Sequence, residues 1–315
     1  MKILVTPASF RQGAQGAVMQ KLKSFAGDLV FNSGGKPFSE DELIERLAGC
    51  DGCIAGLDPF SKKVIDGTEN LKVISRYGTG IDNVDIAAAR GKGIVVCRTP
   101  GVNSQAVAEL AITLLLCLVR QVPMLDRKTR EGYWVRSVGI ELHGKTLGIV
   151  GLGAVGKKTA HLAAGFSMKV LAYDHSDKTE YAHAHNITLV DYNTLLRESD
   201  FISLHLPLND ETRHIVSAEA MQSMKKGAII INTARGGLID EAAAYTLLKS
   251  GHLDGLGLDV YETEPPRDTP LLKMENVVFT PHTAAHTNEA TAAMAALSVD
   301  NLINVLTGKE CRLTV

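Results

Sequence analysis

Three glycines stand in a G-x-G-x-x-G run, Gly151-Leu152-Gly153-Ala154-Val155-Gly156, directly after the apolar stretch 147–150 and before an alanine-rich segment. The chemistry this spacing serves is the binding of a dinucleotide pyrophosphate. The first glycine permits a tight turn, the second lets the backbone approach the phosphates, and the third lets helix and strand pack closely. The N-terminus of the helix that follows offers free N–H groups and a partial positive charge to the anion. Asp174 ends the next strand-like stretch about 20 residues further on, where a carboxylate accepts hydrogen bonds from the ribose hydroxyls and repels a 2′-phosphate. Downstream, Arg235 follows the stretch 229–231, a run with Asp259, Glu262 and Glu264 closes and follows 257–260, and His282 follows 277–279. An arginine, a carboxylate and a histidine in three loops, each after a strand, can converge on one cleft at the carboxyl ends of a sheet.

Such loops need alternating strands and helices to hold them. Apolar runs at 3–5, 54–56, 73–75 and 94–96 predict strands in the first hundred residues. Runs at 147–150, 170–173, 201–204, 229–231, 257–260 and 277–279 predict a second series. Helical stretches lie between them, one introduced by the capping-box pattern Ser39-Glu40-Asp41-Glu42. This alternation predicts parallel sheets covered on both faces. A long helix is predicted from Asn103 or Ser104, and its apolar residues run all round it, so it must be buried on every side. A last helix is predicted over Asn288–Leu306, ended by Gly308. The proline-bearing stretch 261–270 reads as a loop.

The 315 residues carry 33 basic and 35 acidic side chains, a formal charge of −2, with 45% hydrophobic and 22% charged content. This is ordinary globular composition, long enough for two domains, and it lacks the basic footprint of a nucleic-acid binder. The N-terminus MKILVTP has no signal-peptide pattern, and the longest apolar run, 110–119, is too short to span a bilayer. Five cysteines, an odd count, read as reduced thiols. The expectation is a cytoplasmic protein with no membrane or nucleic-acid partner.

Over nearly its whole length the chain resembles the D-2-hydroxyacid dehydrogenase family, most closely its 3-phosphoglycerate dehydrogenase-like branch. The resemblance rests on Arg76-Tyr77-Gly78-Thr79-Gly80-Ile81-Asp82-Asn83-Val84-Asp85, Thr99-Pro100-Gly101-Val102-Asn103-Ser104, Gly144-Lys145-Thr146-Leu147-Gly148, His205-Leu206-Pro207-Leu208 and the loops of Arg235, Glu264 and His282. It implies an α/β fold of two Rossmann-like, doubly wound parallel-sheet domains with a cleft between them. Residues 1–98 with 287–315 would bind substrate, and 99–286 would bind the dinucleotide. It implies an NAD-dependent enzyme interconverting a 2-keto acid and a D-2-hydroxy acid, and a homodimer whose interface takes the long apolar helix.

By the same resemblance, Arg235 grips the substrate carboxylate and polarises the keto oxygen, a two-point task suited to a planar guanidinium. His282 exchanges the proton, and Glu264 orients its imidazole and favours the protonated form. Gly78 and Gly80, with Thr79, bring backbone N–H groups to the carboxylate, and Arg76 projects toward a distal anionic group. The cofactor site takes Gly151, Gly153, Ala154, Val155, Gly156, Asp174, His205, Pro207, Thr212, Thr233, Ala234, Asp259, His282 and Ala284. No metal is expected.

Phosphohydroxypyruvate with 3-phosphoglycerate, and glyoxylate with hydroxypyruvate, are the substrates the resemblance suggests. Gly56 stands where phosphoglycerate dehydrogenases can carry a phosphate-binding arginine, and Arg98 and His286 also depart from the family pattern. The chain ends at Val315, which implies a short form without the regulatory domain of longer relatives. An NAD-sensing corepressor-like protein and a phosphite dehydrogenase are the alternative readings. Cys50 and Cys53 form a CxxC before a strand rather than at a helix start, which favours packing thiols over a redox site. His183 and His185 read as a solvated pair, and Trp134 as a packing residue in an interdomain connection.

Overall fold

The structure is a computed structural model that describes residues 1–311 and 313–315. The chain separates into two compact units, Met1–Asn103 with Ala285–Val315, and Ser104–Ala284. These crossings fall a few residues inside the sequence-based boundaries for local reasons. The Thr79 hydroxyl donates to Thr99 O and Asn103 Oδ1, both at 3.3 Å, which keeps 99–103 with the first unit. At the other crossing, Ala284 N–H donates to Asp259 Oδ2 at 2.9 Å, which keeps it with the second.

The first unit holds β1 (Lys2–Val5), β2 (Asp28–Phe31), β3 (Gly52–Ala55), β4 (Val73–Arg76) and β5 (Val95–Cys97). They form a parallel sheet in the order β2-β1-β3-β4-β5. Its central strands are buried on both faces, hence their unbroken apolar runs. The helix Glu40–Leu47 begins on the expected capping box, with Ser39 and Glu42 bonded reciprocally. The last helix, Asn288–Leu306, comes back from the chain's far end to pack on β3 and β4, where the Ser75 hydroxyl donates to Ser298 O at 2.8 Å.

The second unit holds β6 (Thr146–Val150), β7 (Lys169–Tyr173), β8 (Thr188–Leu189), β9 (Phe201–Leu204), β10 (Ala228–Asn232), β11 (Leu253–Leu258) and β12 (Val277–Phe279). This parallel sheet runs β12-β11-β10-β9-β6-β7-β8. The chain reverses its direction of winding between β6 and β9, the topological switch point where such sheets bind ligands at the strand carboxyl ends.

Four features differ from the sequence reading. β2 and β8 were not predicted, being short edge strands with partly exposed residues. β5 and β11 are displaced from the predicted 94–96 and 257–260. β11 contains Gly255 and Gly257, poor strand formers, yet a Cβ on either would press within 3.1 Å of Leu118 or Leu114. The small residues let the helix Ser104–Val119 lie close on the sheet. That helix is not buried all round, because Gln105, Glu109 and Thr113 line one exposed face. Trp134 is not packed either. It lies within the second unit and is 82% exposed.

No single helix among the described residues is long and apolar enough to cross a membrane. Cys50 and Cys53 are buried free thiols in the core of the first unit.

The return of the last helix leaves no room at Gly13, where a Cβ would come within 2.3 Å of Thr291 O. Gly13→Ala is therefore expected to destabilise the protein by about 1–3 kcal/mol through overpacking. Urea unfolding followed by circular dichroism measures this, and an unchanged midpoint would contradict the close approach.

Candidate active site

At the carboxyl end of β6 the glycine turn has the anatomy of a phosphate cradle. Gly151 has φ +99°, and a Cβ there would sit 2.7 Å from His205 O. A Cβ on Gly156 would sit 2.1 Å from Gly151 O, so turn and helix touch directly. Around Gly153, by contrast, there is open space, and Gly153 and Ala154 are exposed. The helix Ala154–Gly165 starts there without a side-chain cap, so its first N–H groups face outward.

Asp174, just beyond β7, closes one side of this turn. Its Oδ2 accepts from Leu152 N–H at 2.8 Å, and its Oδ1 from the Ser176 N–H at 2.9 Å and hydroxyl at 2.6 Å. Burial acts to raise its pKa, but these bonds and nearby Lys178 outweigh burial and hold the carboxyl below its usual range. Asp174 lines a shallow hollow of about 280 Å³ with His175, Lys178 and Val190.

Two polar atoms on the adjoining strands lack partners. The Thr233 hydroxyl, after β10, and His205 Nδ1, after β9, are buried without a hydrogen bond. His205 Nε2 lies 2.9 Å from the Ser203 hydroxyl. Burial drives the His205 pKa down to about 3. Unsatisfied buried polar atoms are costly, and here they lie at the carboxyl ends of β9 and β10, on one side of the switch point. Open Gly153, an uncapped helix start and two waiting polar atoms together fit a dinucleotide. Pro207 and Thr212 are tied to one another, the Thr212 hydroxyl donating to Pro207 O at 2.7 Å.

The three loops expected to carry chemistry belong to β10, β11 and β12, which are neighbours in the sheet. The Asn232 side chain builds the first loop: its Oδ1 accepts from Ala234 N–H at 3.0 Å and its Nδ2 donates to Arg235 O at 2.7 Å. Next to Arg235, Gly236 lies flat against the second loop, where a Cβ would fall 1.8 Å from Tyr261 C. Arg235 and the Glu264 loop are thereby brought side by side. The Tyr261 hydroxyl donates to Thr280 O at 2.6 Å and joins the second loop to the third.

His282 and Glu264 meet directly, with Nδ1 and Oε2 2.7 Å apart. His282 has φ +52°, an uncommon conformation for a residue with a side chain, so the surrounding bonds must hold it. Its N–H donates to Asp259 O at 2.9 Å. The carboxylate of buried Asp259 accepts from the Thr280 hydroxyl at 2.6 Å, Thr283 N–H at 2.8 Å and Ala284 N–H. Asp259, expected to line the cofactor site, spends its side chain on the histidine loop.

The substrate-binding expectations on the first unit need two corrections. Arg76 does not project outward. It is 5% exposed, its Nη1 donates to Ala55 O and Tyr77 O at 3.3 and 2.7 Å, and its Nε to Asn83 Oδ1 at 3.3 Å. A strand-end arginine lying under its own loop satisfies carbonyls there, and Gly78, at φ +149°, has room only for the guanidinium beneath it. The Gly78 N–H donates to the Thr99 hydroxyl at 2.9 Å, so it holds the loop instead of facing a ligand. Gly80 and Thr79 lie half-buried beyond it. Gly56 is also wedged: a Cβ would lie 3.2–3.3 Å from Thr6, Pro7 and Asp58, so a larger residue does not fit without rearrangement.

Sequence reasoning assigned no part to Asn232, Gly236 or Tyr261. Asparagine at a strand end is an Asx-turn signal, and the Gly236-Gly237 pair signals close backbone approach. Glu241 was missed as well. At the start of the helix Glu241–Lys249, its Oε1 accepts from Glu262 N–H at 2.8 Å, and burial, aided by the Glu262 and Glu264 carboxylates, pushes its carboxyl above the usual range.

Residues 112–284 match the family described as D-isomer specific 2-hydroxyacid dehydrogenase, NAD binding domain. Glyoxylate reductase of Korarchaeum cryptofilum is 41% identical over 275 residues, 85% of this chain and 83% of that one. D-3-phosphoglycerate dehydrogenase of Methanocaldococcus jannaschii is 42% identical over 275 residues, and the alignment covers 86% of this chain but 52% of the relative. The chain thus spans about half the length of that relative. A solved structure of a Thermus thermophilus protein superimposes with a TM-score of 0.90 at 36% identity, covering all of both chains.

The buried imidazole sets a pH dependence. Folded His205 stays neutral down to about pH 3, whereas in the unfolded chain a histidine takes up a proton below about pH 6.5. Across that window the unfolded state binds more protons, so stability rises with pH and is lost as pH falls. His205 is expected to account for a loss of about 1–2 kcal/mol between pH 7 and pH 5. Urea titrations of wild type and His205→Gln at both pH values check this; identical pH slopes would refute it.

Proposed function

The chain belongs to the D-isomer specific 2-hydroxyacid dehydrogenase family, and we propose that this NAD-dependent oxidoreductase reduces a small, unphosphorylated 2-keto acid, glyoxylate or hydroxypyruvate, to its D-2-hydroxy acid. The observation that carries the reading is the contact of 2.7 Å between His282 Nδ1 and Glu264 Oε2, beside the loop of Arg235. With ionised Glu264 at Nδ1, the imidazole keeps a proton on that nitrogen and turns Nε2 to the substrate. Protonated His282 gives the Nε2 proton to the keto oxygen during reduction and takes it back during oxidation. Arg235 binds the substrate carboxylate through its planar fork and draws charge onto the keto oxygen. NAD(H), when bound, carries the hydride.

We assign the cofactor's pyrophosphate to the turn of Gly151, Gly153 and Gly156 with Ala154 and Val155. Asp174 takes the ribose, where its charge disfavours a 2′-phosphate. His205, Pro207, Thr212, Thr233, Ala234 and Ala284 complete the cofactor surface. On the first unit, Thr79 and Gly80 are the residues we assign to the substrate carboxylate, with Arg76 and Gly78 supporting them from below. Buried Arg76 and wedged Gly56 favour a substrate without a distal phosphate. Likeness to phosphoglycerate dehydrogenase supports phosphohydroxypyruvate as the second reading. Five free cysteines are in keeping with a reducing cytoplasm.

We further propose a homodimer. Val122, Tyr133, Trp134 and Val138, the last 93% exposed, lie on or just beyond the helix Val122–Arg130, whose start follows the partly open helix Ser104–Val119. Large apolar side chains grouped in this way favour a partner surface, and a second copy accounts for it. Sedimentation should give a dimer in wild type and a shift of at least tenfold toward monomer in Trp134→Ser/Val138→Ser; a monomeric wild type would overturn this.

The reaction is tested by following NADH oxidation with glyoxylate, hydroxypyruvate, pyruvate and phosphohydroxypyruvate. Glyoxylate or hydroxypyruvate should give the highest kcat/KM, and His282→Ala should lower kcat by about 10²–10⁴ with NADH affinity retained. A phosphohydroxypyruvate optimum would replace the substrate reading. A His282→Ala enzyme within threefold of wild type would remove the proton-transfer role.

A further inference from the structure

The tail after the last helix does not hang free. Leu313, Thr314 and Val315 run antiparallel along β5, the edge strand of the first unit's sheet. Arg98 N–H donates to Leu313 O at 3.1 Å and Val315 N–H to Val96 O at 3.0 Å, with Thr314 opposite Cys97. This pairing sets Cys311 against Cys97, which lies 214 positions earlier in the chain, with the two sulfurs 3.2 Å apart. Cys97 is fully buried, whereas Cys311 is half-buried, its thiol also facing Asn301 Oδ1 at 3.4 Å.

We propose that Cys97 and Cys311 are an oxidation site, a thiol pair that closes to a disulfide when it meets a peroxide and staples the C-terminal tail to the sheet edge. The bond length of a disulfide is about 2.05 Å, so closure asks the sulfurs to move by only about 1 Å. The more accessible Cys311 reacts first, as its thiolate. Its sulfur attacks one peroxide oxygen, the O–O bond breaks, and hydroxide leaves to give a sulfenic acid. The Cys97 sulfur then attacks the Cys311 sulfur, the S–O bond breaks, and the departing hydroxide takes the Cys97 proton. Two thiols and one hydrogen peroxide become one disulfide and two waters, and a dithiol reductant reverses the change. Burial, with the adjacent Cys311 sulfur, pushes the Cys97 thiol pKa upward, which fits the second, resolving role rather than the first.

The staple would lie where it matters for the fold. Beyond Cys97 the chain runs through Arg98, whose carbonyl accepts from Asn301 Nδ2 at 3.1 Å, to Thr99, which holds Gly78. It would also close a very long covalent loop, which stabilises chiefly by restricting the unfolded chain. Of the other thiols, Cys50 donates toward Arg46 O, Cys53 lies inside the core and Cys117 is half-buried on the helix Ser104–Val119. The competing reading is a pair of inert packed sulfurs.

The test uses the full chain, reduced, freed of reductant and treated with a few equivalents of hydrogen peroxide. After alkylation and digestion without reductant, the expected product is one peptide pair joined through Cys97 and Cys311. Free thiols should fall from five to three and return to five with dithiothreitol. The oxidised protein should melt about 3–10 °C higher and resist carboxypeptidase. Cys311→Ser, a change in the half-exposed tail, should keep the native circular dichroism spectrum and give neither the cross-link nor the shift in melting. Retention of all five thiols, over-oxidation of Cys311 without cross-linking, or pairing through other cysteines would each overturn the proposal.

Discussion

The buried carboxylate of Asp259 is the contact on which the candidate site depends. It stands at the end of β11 and binds the Thr280 hydroxyl and the N–H groups of Thr283 and Ala284, drawing the β12 loop across to β11. His282 sits inside that loop with a positive φ, which would be unfavourable in a free chain. A charge removed from water in this way is tolerable only when its lone pairs are filled, and the loop backbone fills them. The histidine's position follows from this exchange, and Glu264 needs only to meet a ring already placed.

Close backbone approach supplies the second constraint. Gly236 lets the Arg235 loop touch the Tyr261–Glu262 backbone, and Gly156 lets the first helix turn touch Gly151. In both places a methyl group would overlap main-chain atoms, which cannot swing aside as a side chain can. The same argument at Gly255 and Gly257 explains how the helix Ser104–Val119 lies against the sheet. The loops of the candidate site are thus aligned by missing side chains as much as by bonds. Among the described residues, the buried side-chain polar atoms left without partners are His205 Nδ1 and Thr233 Oγ1, at the ends of β9 and β10.

The first unit uses its polar groups differently. Arg76 spends its guanidinium on loop carbonyls and Asn83, while Thr99 holds Gly78 from the neighbouring strand. The outcome is a loop braced from beneath. An arginine in that role braces its own loop, which is why its residue type misleads when seen in sequence alone.

Much of this was legible in the sequence by itself. Alternating apolar runs announced two parallel-sheet units, because strands buried on both faces must be continuously apolar. The glycine spacing announced a tight strand-to-helix turn, because Gly151 and Gly156 each meet a local backbone requirement. The capping box at Ser39 and the last helix, Asn288–Leu306, were read from local chemistry and appear as read. What tertiary structure decided were the outcomes of competition among distant groups. Glycine-rich β11 is a strand because a helix presses on it, and Asp259 serves a loop some 20 residues away. Arg76 turns inward because the carbonyls of Ala55 and Tyr77 lie within reach, and Trp134 is left 82% exposed among the described residues. Leu114 and Leu118 lie far from Gly255 and Gly257 in sequence, and their approach exists only once the chain has folded.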